Sequence, residues 1–480
     1  MSTAGAVLTG SVTDEGLQRG LTRFHALAIV VGTVVGTGIY LRPASIAQIV
    51  RSPFGVLTIW VAAGLFTLAG ALTYAELASR LPRSGGEYAF LRETLGELPA
   101  FLFGWMRLTV GVSAIAAMAV AVAVFVSDLV PLGALWWHHT FRFFGGSYTM
   151  DLGARQAVAV LLIFALAALN VSGVARAGRF QGIVTSAKVI GLAALIGVLA
   201  FAARAHAVDT NHSVTNSTAP GVLGYGGALL AALAPFNGWA NAAMVGGEVR
   251  DARRTLPWAL IVGICATILL YVAVNAAYMH VLSMDEIAGS SSTAHPDAPS
   301  VASRAAAAVL GENARFALTL LFLISAVGTL HCLILTPSRV LFAMARDGLL
   351  PRTLSRVAET TRTPAAAIIA LATLGMVLAV LGSYDRLSNM SAFGYLLFYP
   401  VNSLGLIWWR RTLGENVPDA FKAPRGVPRL FLLASVVLLV VLVVRGSVEV
   451  LAALALIGLG VPVYGSIRAR RARGSPVQKW

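Results

Sequence analysis

Apolar runs long enough to cross a lipid bilayer are the feature that most limits how this chain can fold. A helix needs about 20 apolar residues to cross the hydrocarbon core. Runs of that length predict an all-α integral membrane protein with twelve spans. Their approximate limits are 25–49, 54–79, 100–130, 153–172, 178–204, 221–248, 256–281, 303–333, 364–382, 390–409, 428–445 and 448–467.

The composition supports a membrane protein rather than a soluble one. Hydrophobic residues make up 57% of the chain and charged residues 12%, whereas about a quarter of a soluble domain is charged. The net charge of +15 is compatible with nucleic acid binding, but the basic residues lie in short loops between apolar spans. We therefore expect the protein to contact membrane lipid and to bind no nucleic acid.

The distribution of Lys and Arg predicts the orientation. With an even number of spans both termini lie on one side, and loops on that side hold most of the 36 basic residues. The opposite loops hold Arg42, Arg51, Arg142, Arg155, Arg204, Arg304, Arg315, Arg386 and Arg445. Because cytoplasmic loops carry the excess of basic residues, we expect cytoplasmic termini and a location in the cell membrane.

The first span, Leu27 to Val50, contains Gly32, Gly36 and Gly38. Each glycine in a helix interior costs about 1 kcal/mol relative to alanine, so the helix is expected to unwind here. The N–H groups of Thr37, Gly38 and Ile39, at the start of the next half-helix, are then suited to a carboxylate. The alternative is close helix packing, since the spacing of Gly32 and Gly36 also lets backbones touch.

The sixth span is interrupted in the same way. Pro235 removes a backbone donor, and Asn237 with Gly238 is typical of a turn. This break follows the first by about two hundred residues, which suits two halves of five spans each. Interrupted spans at matching positions of two repeats indicate a transporter's midplane site. Two unrelated kinks are the remaining alternative.

Two basic residues fall within spans. Arg107 lies near the start of the third span, where its side chain can reach the interface. Lys188 lies about 15 Å into the fifth span at helical rise. A buried ammonium there is costly without partners, so it should face the bundle interior. Snorkelling from a misplaced boundary is the alternative.

Two charged loops, 80–88 and 248–257, are either solvated connections or a cytoplasmic gate. Exposed ion pairs are worth about 0–1 kcal/mol, which suits a reversible contact. The cysteines, Cys265 and Cys332, both lie inside apolar segments, so neither a disulfide framework nor a metal site is expected. No cofactor is predicted.

Four motifs carry a resemblance to a known family. They are Gly36-Thr37-Gly38-Ile39-Tyr40, Pro82-Arg83-Ser84-Gly85-Gly86-Glu87-Tyr88, Phe236-Asn237-Gly238-Trp239 with the following Glu248 and Arg254-Thr255-Leu256-Pro257, and Ser338-Arg339 to Arg346-Asp347-Gly348-Leu349-Leu350-Pro351. Together they resemble the amino acid–polyamine–organocation (APC) transporters, and most closely the L-type amino acid transporter (LAT) branch.

The resemblance implies a five-plus-five inverted repeat of the LeuT-like type, with discontinuous helices 1 and 6 and two added C-terminal helices. The implied divisions are a cytoplasmic N-terminal segment 1–24, a first repeat 25–204, a second repeat 221–409, the last two spans 428–467 and a basic cytoplasmic tail 468–480.

The resemblance also implies a substrate site at the two breaks. The substrate carboxylate would meet N–H groups of Thr37 and Gly38, and its ammonium would meet carbonyls at Val34, Ala234 and Asn237. The full implied set is Val34, Gly36, Thr37, Gly38, Ile39, Ala234, Phe236, Asn237 and Gly238. Lys188 falls where sodium-independent members carry a lysine in place of a sodium site, which implies transport without sodium.

Two departures from the family bear on the substrate. Ala234 stands where many members have an aromatic gate, so Phe236 or an aromatic of another span would have to cover the substrate. His331 stands where a small polar amide is frequent, and is either proton-linked or a satisfied polar residue at a helix interface. No acidic residue lies deep in the third, sixth, eighth or tenth span, which favours neutral amino acids over arginine or polyamines.

The sequence thus predicts a sodium-independent antiporter or facilitator for neutral L-amino acids. Proton-coupled uptake of amino acids, polyamines or other amines is the near alternative, and a non-transporting sensor or an intramembrane enzyme is remote. An enzyme is not expected because His25, His280 and His331 lie in separate spans. Some relatives use a partner subunit through a cysteine on an external loop. Since Cys265 and Cys332 are intramembrane, no disulfide-linked partner is expected.

Overall fold

The computed structural model describes residues 16–472 except 131, 134, 144–145, 203–220, 293–294, 296–297, 312–313, 382–383, 413–418 and 445–447. The helices are α1 Arg23–Val34, α2 Gly38–Val50, α3 Pro53–Arg80, α4 Glu87–Thr94, α5 Glu97–Thr109, α6 Ser113–Leu129, α7 Ala154–Val171, α8 Val174–Phe201, α9 Val222–Leu233, α10 Ala252–Val281, α11 Met284–Ala288, α12 Val301–Leu310, α13 Ala314–Leu335, α14 Ser338–Arg346, α15 Ala365–Leu381, α16 Tyr384–Thr412, α17 Val427–Val444, α18 Val448–Gly458 and α19 Gly460–Ala472. Parts of the predicted N-terminal segment, the connection after the fifth span and the basic tail lie outside the described residues.

The described part of the chain has nine helices long and apolar enough to cross a membrane, or ten when the bent pair α1 and α2 is counted as one span. Many of their outward side chains are large and apolar, as at Leu65, Phe164 and Leu269. Because such side chains would be costly to expose to water in these numbers, the bundle surface fits a lipid environment. The chain is therefore a multi-pass helical protein.

Two features differ from the sequence prediction. The predicted span 303–333 is wrong as a single helix, because Gly311 adopts a left-handed φ of 65° and ends α12 before α13 begins. Between α6 and α7 lies an antiparallel hairpin of β1 Trp137–Phe143 and β2 Gly146–Leu152, with Trp137 opposite Leu152. No strand is predicted there from the sequence.

The first span breaks after Val34, and α2 continues at an angle of 42° to α1. Gly32 lies before the break, within α1. A Cβ added to Gly32 would lie 2.0 Å from Gln181 Nε2 of α8, so this glycine is required for close packing. The unwinding itself occupies Val35 to Thr37. The two explanations offered by the sequence therefore apply to different glycines.

The α-helical part of the sixth span, α9, ends at Leu233. The span continues in 3₁₀ turns over Ala234–Phe236, Trp239–Met244 and Gly246–Glu248. Gly238 has a φ of 93°, a conformation that favours glycine. A Cβ on Gly38 would lie 3.0 Å from Pro235 Cγ. The two interrupted spans therefore meet at their breaks, as their paired positions in the sequence predict.

One end of the bundle, here called the inner face, holds the start of α1, the end of α3 and the start of α10. It is the face that the basic residues predict to be cytoplasmic. Leu21 N donates to Glu248 O at 3.0 Å, and Ser79 Oγ donates to Arg253 O at 2.8 Å. Gly85 N donates to Met244 O at 2.9 Å. These contacts hold the inner face closed beneath the two breaks.

Candidate functional site

A cavity of about 450 Å³ lies between the two breaks. Its walls come from both interrupted spans and from α3, α6, α13 and α16, so that the third, sixth, eighth and tenth predicted spans all contribute. The predicted substrate-binding residues line it except Ile39, whose side chain is fully buried. A volume in this range suits a small organic ligand.

The beginning of α2 presents backbone donors to this cavity. Gly36 N donates to Val34 O at 2.8 Å, and Tyr40 N donates to Thr37 O at 3.1 Å. Within the described residues, the N–H groups of Thr37, Gly38 and Ile39 have no acceptor. The first N–H groups of a helix carry partial positive charge, so this end of α2 can hold a carboxylate.

The carbonyls of the breaks are partly used by the protein itself. Tyr271 of α10 places its hydroxyl 2.9 Å from Val34 O and 3.0 Å from Pro235 O, which joins the two breaks. Ala234 O accepts from Asn237 N at 3.1 Å and keeps a second lone pair. Sequence reasoning missed Tyr271. A hydroxyl deep in an apolar span, which must find an acceptor, was the available signal.

Lys188 lies where three helices meet and is fully buried. Its Nζ donates to Gly32 O and Val35 O, each at 2.8 Å, and to Ser325 O at 3.0 Å. Val35 O also accepts from Ser325 Oγ at 2.9 Å. The ammonium therefore joins α8 and α13 to the break in the first span, and its three protons are all used.

The side-chain part of the cavity is largely aromatic. Its lining includes Phe66, Phe236, Trp239, Phe393, Tyr395 and Tyr399. Phe236 is held against Tyr271 and Trp60, with ring centroids 4.9 and 6.3 Å away. Among the described lining residues Arg42 is charged, and none carries a carboxylate. A cationic side chain would thus find no counter-ion in these walls.

His331 lies outside the cavity lining, between α13 and α8. Its Nδ1 is 2.8 Å from Gln181 Oε1, so the amide oxygen places a proton on Nδ1. Its Nε2 has no partner among the described residues, and its ring packs edge-on against Phe180. A proton-linked role for His331 stays a prediction, and its environment is that of an interface residue.

The inner face contains buried ion pairs that the sequence does not reveal. Arg339 of α14 donates through Nε and Nη2 to the two carboxylate oxygens of Glu248, at 2.7 and 2.8 Å. Both side chains are fully buried. Glu76 is contacted by Arg80 and Arg410. The sequence suggested weak exposed pairs at this face, whereas Glu248 lies in a desolvated bidentate pair.

The family model for amino acid permeases matches residues 21–461. The chain belongs to the amino acid permease family. Among its relatives, the permease is 27% identical to the serine/threonine exchanger SteT of Bacillus subtilis, over 96% of this chain and 99% of that protein. It is 28% identical to the rabbit large neutral amino acids transporter small subunit 2, over 93% of this chain and 80% of that protein. It is also 28% identical to the human cystine/glutamate transporter, over 86% and 78%.

Family membership confirms the resemblance to APC transporters that the four motifs carry. It also confirms that the permease is a transporter rather than an enzyme, because the family and these relatives are transporters. The relatives' names cover small, large neutral and acidic substrates. These names therefore do not specify one substrate class for this permease.

Proposed function

We propose that this permease exchanges neutral L-amino acids across the cell membrane without sodium, by alternating access around its two broken spans. The observation that carries the proposal is one cavity with unused N–H groups at one end and no carboxylate in its described walls. The donors suit the substrate carboxylate, and the walls suit an uncharged side chain. One relative named as a serine/threonine exchanger and one named as a large neutral amino acids transporter support the proposal.

The substrate carboxylate is proposed to bind the N–H groups of Thr37, Gly38 and Ile39. Three convergent backbone donors at a helix start are a strong anion site, and glycine lets the ligand approach the backbone. The ammonium group would bind the free lone pair of Ala234 O and the carbonyl of Asn237. Val34 O already accepts from Gly36 N and contacts Tyr271, so it serves the ammonium only after rearrangement.

Lys188 is proposed to replace a coupling cation. Its ammonium already satisfies the carbonyl oxygens of Gly32, Val35 and Ser325 that a sodium ion would use. A second cation beside it would be repelled in this buried position. The arrangement therefore supports transport that is indifferent to sodium.

The aromatic cover that Ala234 does not supply is proposed to come from Phe236 and the α16 tyrosines. Phe236 lies in the break beside Ala234 and already lines the cavity. Because alanine leaves room at the usual gate position, the cavity is expected to admit side chains larger than that of serine. We expect leucine-sized neutral amino acids to be substrates.

A LeuT-like arrangement of twelve spans is proposed from the packing of equivalent helices. In an inverted repeat the second span corresponds to the seventh and the third to the eighth. Here α3 packs along α10, α6 along α13, and α2 along α9. The proposed repeats are 25–204 and 221–409, followed by 428–467, with the 1–24 segment and the 468–480 tail on the cytoplasmic side.

The permease is proposed to work without a disulfide-linked partner subunit. Cys265 lies within α10, and Cys332 lies buried within α13. A disulfide to a second chain needs an accessible thiol outside the bilayer. A single band of unchanged mobility on non-reducing gels of native membranes is expected, and a larger reducible species would contradict this point.

Substrate analogues test the proposed site directly. In proteoliposomes, unlabelled L-leucine, L-serine and L-threonine are expected to compete with labelled L-leucine uptake, whereas L-lysine, L-glutamate and putrescine are not. Leucine methyl ester lacks the carboxylate and N-acetylleucine lacks the ammonium, so each should compete at least about 100-fold more weakly. Preferred uptake of lysine or putrescine would contradict the proposal.

A further inference from the structure

A buried carboxylate without an ion-pair partner lies just inside the cavity floor. Glu87 is the first residue of α4 and is 5% exposed. Its Oε1 accepts a hydrogen bond from the Tyr74 hydroxyl at 2.9 Å. Among the described residues, no basic nitrogen lies within ion-pair distance of this carboxylate. Proposed substrate binding does not use Glu87.

A buried arginine without a carboxylate partner lies nearby. Arg107 of α5 is 2% exposed, and its guanidinium lies 4.7 Å from the centre of the Tyr395 ring. Its Nη2 is 3.5 Å from Asn241 Oδ1, and its Nε has no acceptor in the described part of the chain. The Glu87 carboxyl group and the Arg107 guanidinium thus share one desolvated region without direct contact, where a change in the charge of Glu87 changes the electrostatic energy strongly.

This pair lies between the cavity and the inner face. Tyr74, which holds Glu87, packs against Trp239 of the cavity lining with ring centroids 4.6 Å apart. On the other side, the loop before α4 pairs with the end of the sixth span, where Ser84 bridges Val245. Opening of the inner face must separate this loop from the sixth span, and therefore must change the surroundings of Glu87.

The groups that face Glu87 are known on each side of α4. Tyr74 comes from α3, Arg107 from α5, and Tyr399 and Tyr395 from α16. On the α14 side, Tyr88 and Arg92 contact Asp347 instead. Burial raises the pKa of Glu87 to about 7, against smaller opposite effects of Arg107 and the Tyr74 hydrogen bond. In water a glutamate has a pKa of about 4.3.

We propose that Glu87 is a proton-binding site of the transport cycle, protonated while the inner face is closed and ionised once opening brings water to it. On opening, the carboxylic acid releases its proton to cytoplasmic water, and on closing it takes one back. The inference rests on the proposed function, because it needs a cycle that opens this face.

The direction of the pH effect follows from linkage. Glu87 binds its proton more tightly in the closed state, so protonation favours closure at low pH. That preference is lost as the pH rises through about 7. With pKa values of about 7 closed and 4.3 open, the ratio of closed to open protein falls roughly tenfold between pH 6 and pH 8.

A cysteine at the inner face reports this equilibrium. Ser84→Cys is introduced in a background in which Cys265 and Cys332 are replaced, and its reaction with a membrane-impermeant maleimide is followed in inside-out vesicles. The labelling rate should rise roughly tenfold from pH 6 to pH 8, after correction for the thiolate fraction with an exposed cysteine. Glu87→Gln, which mimics the protonated acid, should label slowly at both pH values.

Glu93→Gln is the matched control, because Glu93 lies on the same helix with an exposed side chain. It should keep the pH response of the unmodified protein. Tyr74→Phe, which removes the bond to Glu87, should move the midpoint of the response to higher pH. A response that persists in Glu87→Gln, or is absent from the parent, would overturn the inference.

Exchange of labelled leucine in the same preparations separates this inference from the proposed function. Leucine exchange whose pH dependence is the same with and without Glu87 would refute the proton site and leave the proposed function standing. Absence of leucine exchange at every pH, in protein that still labels at Ser84→Cys, refutes the proposed function.

Discussion

The buried ion pair of Glu248 and Arg339 gives the sharpest energetic prediction at the inner face. Both side chains are fully excluded from solvent, and two hydrogen bonds of 2.7 and 2.8 Å join them. Removing one partner leaves a buried charge and is expected to cost about 3–5 kcal/mol. Replacing both by apolar side chains removes both desolvation penalties, so the double variant should lie within about 2 kcal/mol of the parent.

The measurement is a double-mutant cycle on the free energy of unfolding in mixed micelles, with Glu248→Leu, Arg339→Met and the combination. The coupling energy should reach at least about 3 kcal/mol. The pair of Arg471 and Glu97 is the control, since its side chains are 28% and 30% exposed. Its single substitutions should cost no more than about 1 kcal/mol. Losses at Glu248 and Arg339 that simply add, with coupling below about 0.5 kcal/mol, would refute the reasoning.

Three further substitutions test the region around the breaks. Lys188→Met removes three charged hydrogen bonds worth about 1.5–3 kcal/mol each and should lower the exchange rate at least about 20-fold. The control Lys422→Met, at an exposed site, should not lower the rate. Equal exchange rates for the two variants would contradict the role of Lys188. Tyr271→Phe removes the hydroxyl contact that joins the two breaks, at a cost of about 1–2 kcal/mol, and should weaken apparent substrate affinity roughly 5- to 30-fold. The control Tyr278→Phe, whose hydroxyl has no partner among the described residues, should leave the affinity unchanged. Gly238→Ala places a Cβ 2.4 Å from Thr33 Cγ2 at a φ of 93° and should abolish exchange or lower the yield of folded protein. The control Gly197→Ala, with no neighbour within 4 Å, should behave like the parent in size-exclusion and uptake assays.

The sequence predicts features that local chemistry determines. Glycine clusters and Pro235 specify where the two spans are interrupted, and the apolar runs specify where most helices lie. The placement of Lys188 deep in a span also indicates that it must find partners. Which partners it finds depends on how α8 meets α1 and α13, and no local pattern specifies that.

Tertiary packing accounts for what the sequence did not predict. The partners Glu248 and Arg339 are far apart in the chain, so the loop containing Glu248 looks like a solvated connection until α14 covers it. The predicted span 303–333 includes the polar residues Glu312, Asn313 and Arg315, and Gly311 ends α12 there through its left-handed backbone conformation. Tyr271 joins the breaks only because α10 packs beside both of them. From the sequence, Glu87 lies in a charged loop between spans, and its burial follows from the closure of the inner face.

Counterflow in sodium-free proteoliposomes tests the central claim most directly. Labelled L-leucine uptake would be measured with and without internal unlabelled leucine, with external sodium replaced by choline and with no membrane potential or pH gradient. Sodium-independent exchange should give rapid uptake that requires internal amino acid and does not change with sodium. Uptake that requires a sodium gradient, or that is equally fast into liposomes without internal amino acid, would contradict sodium-independent exchange.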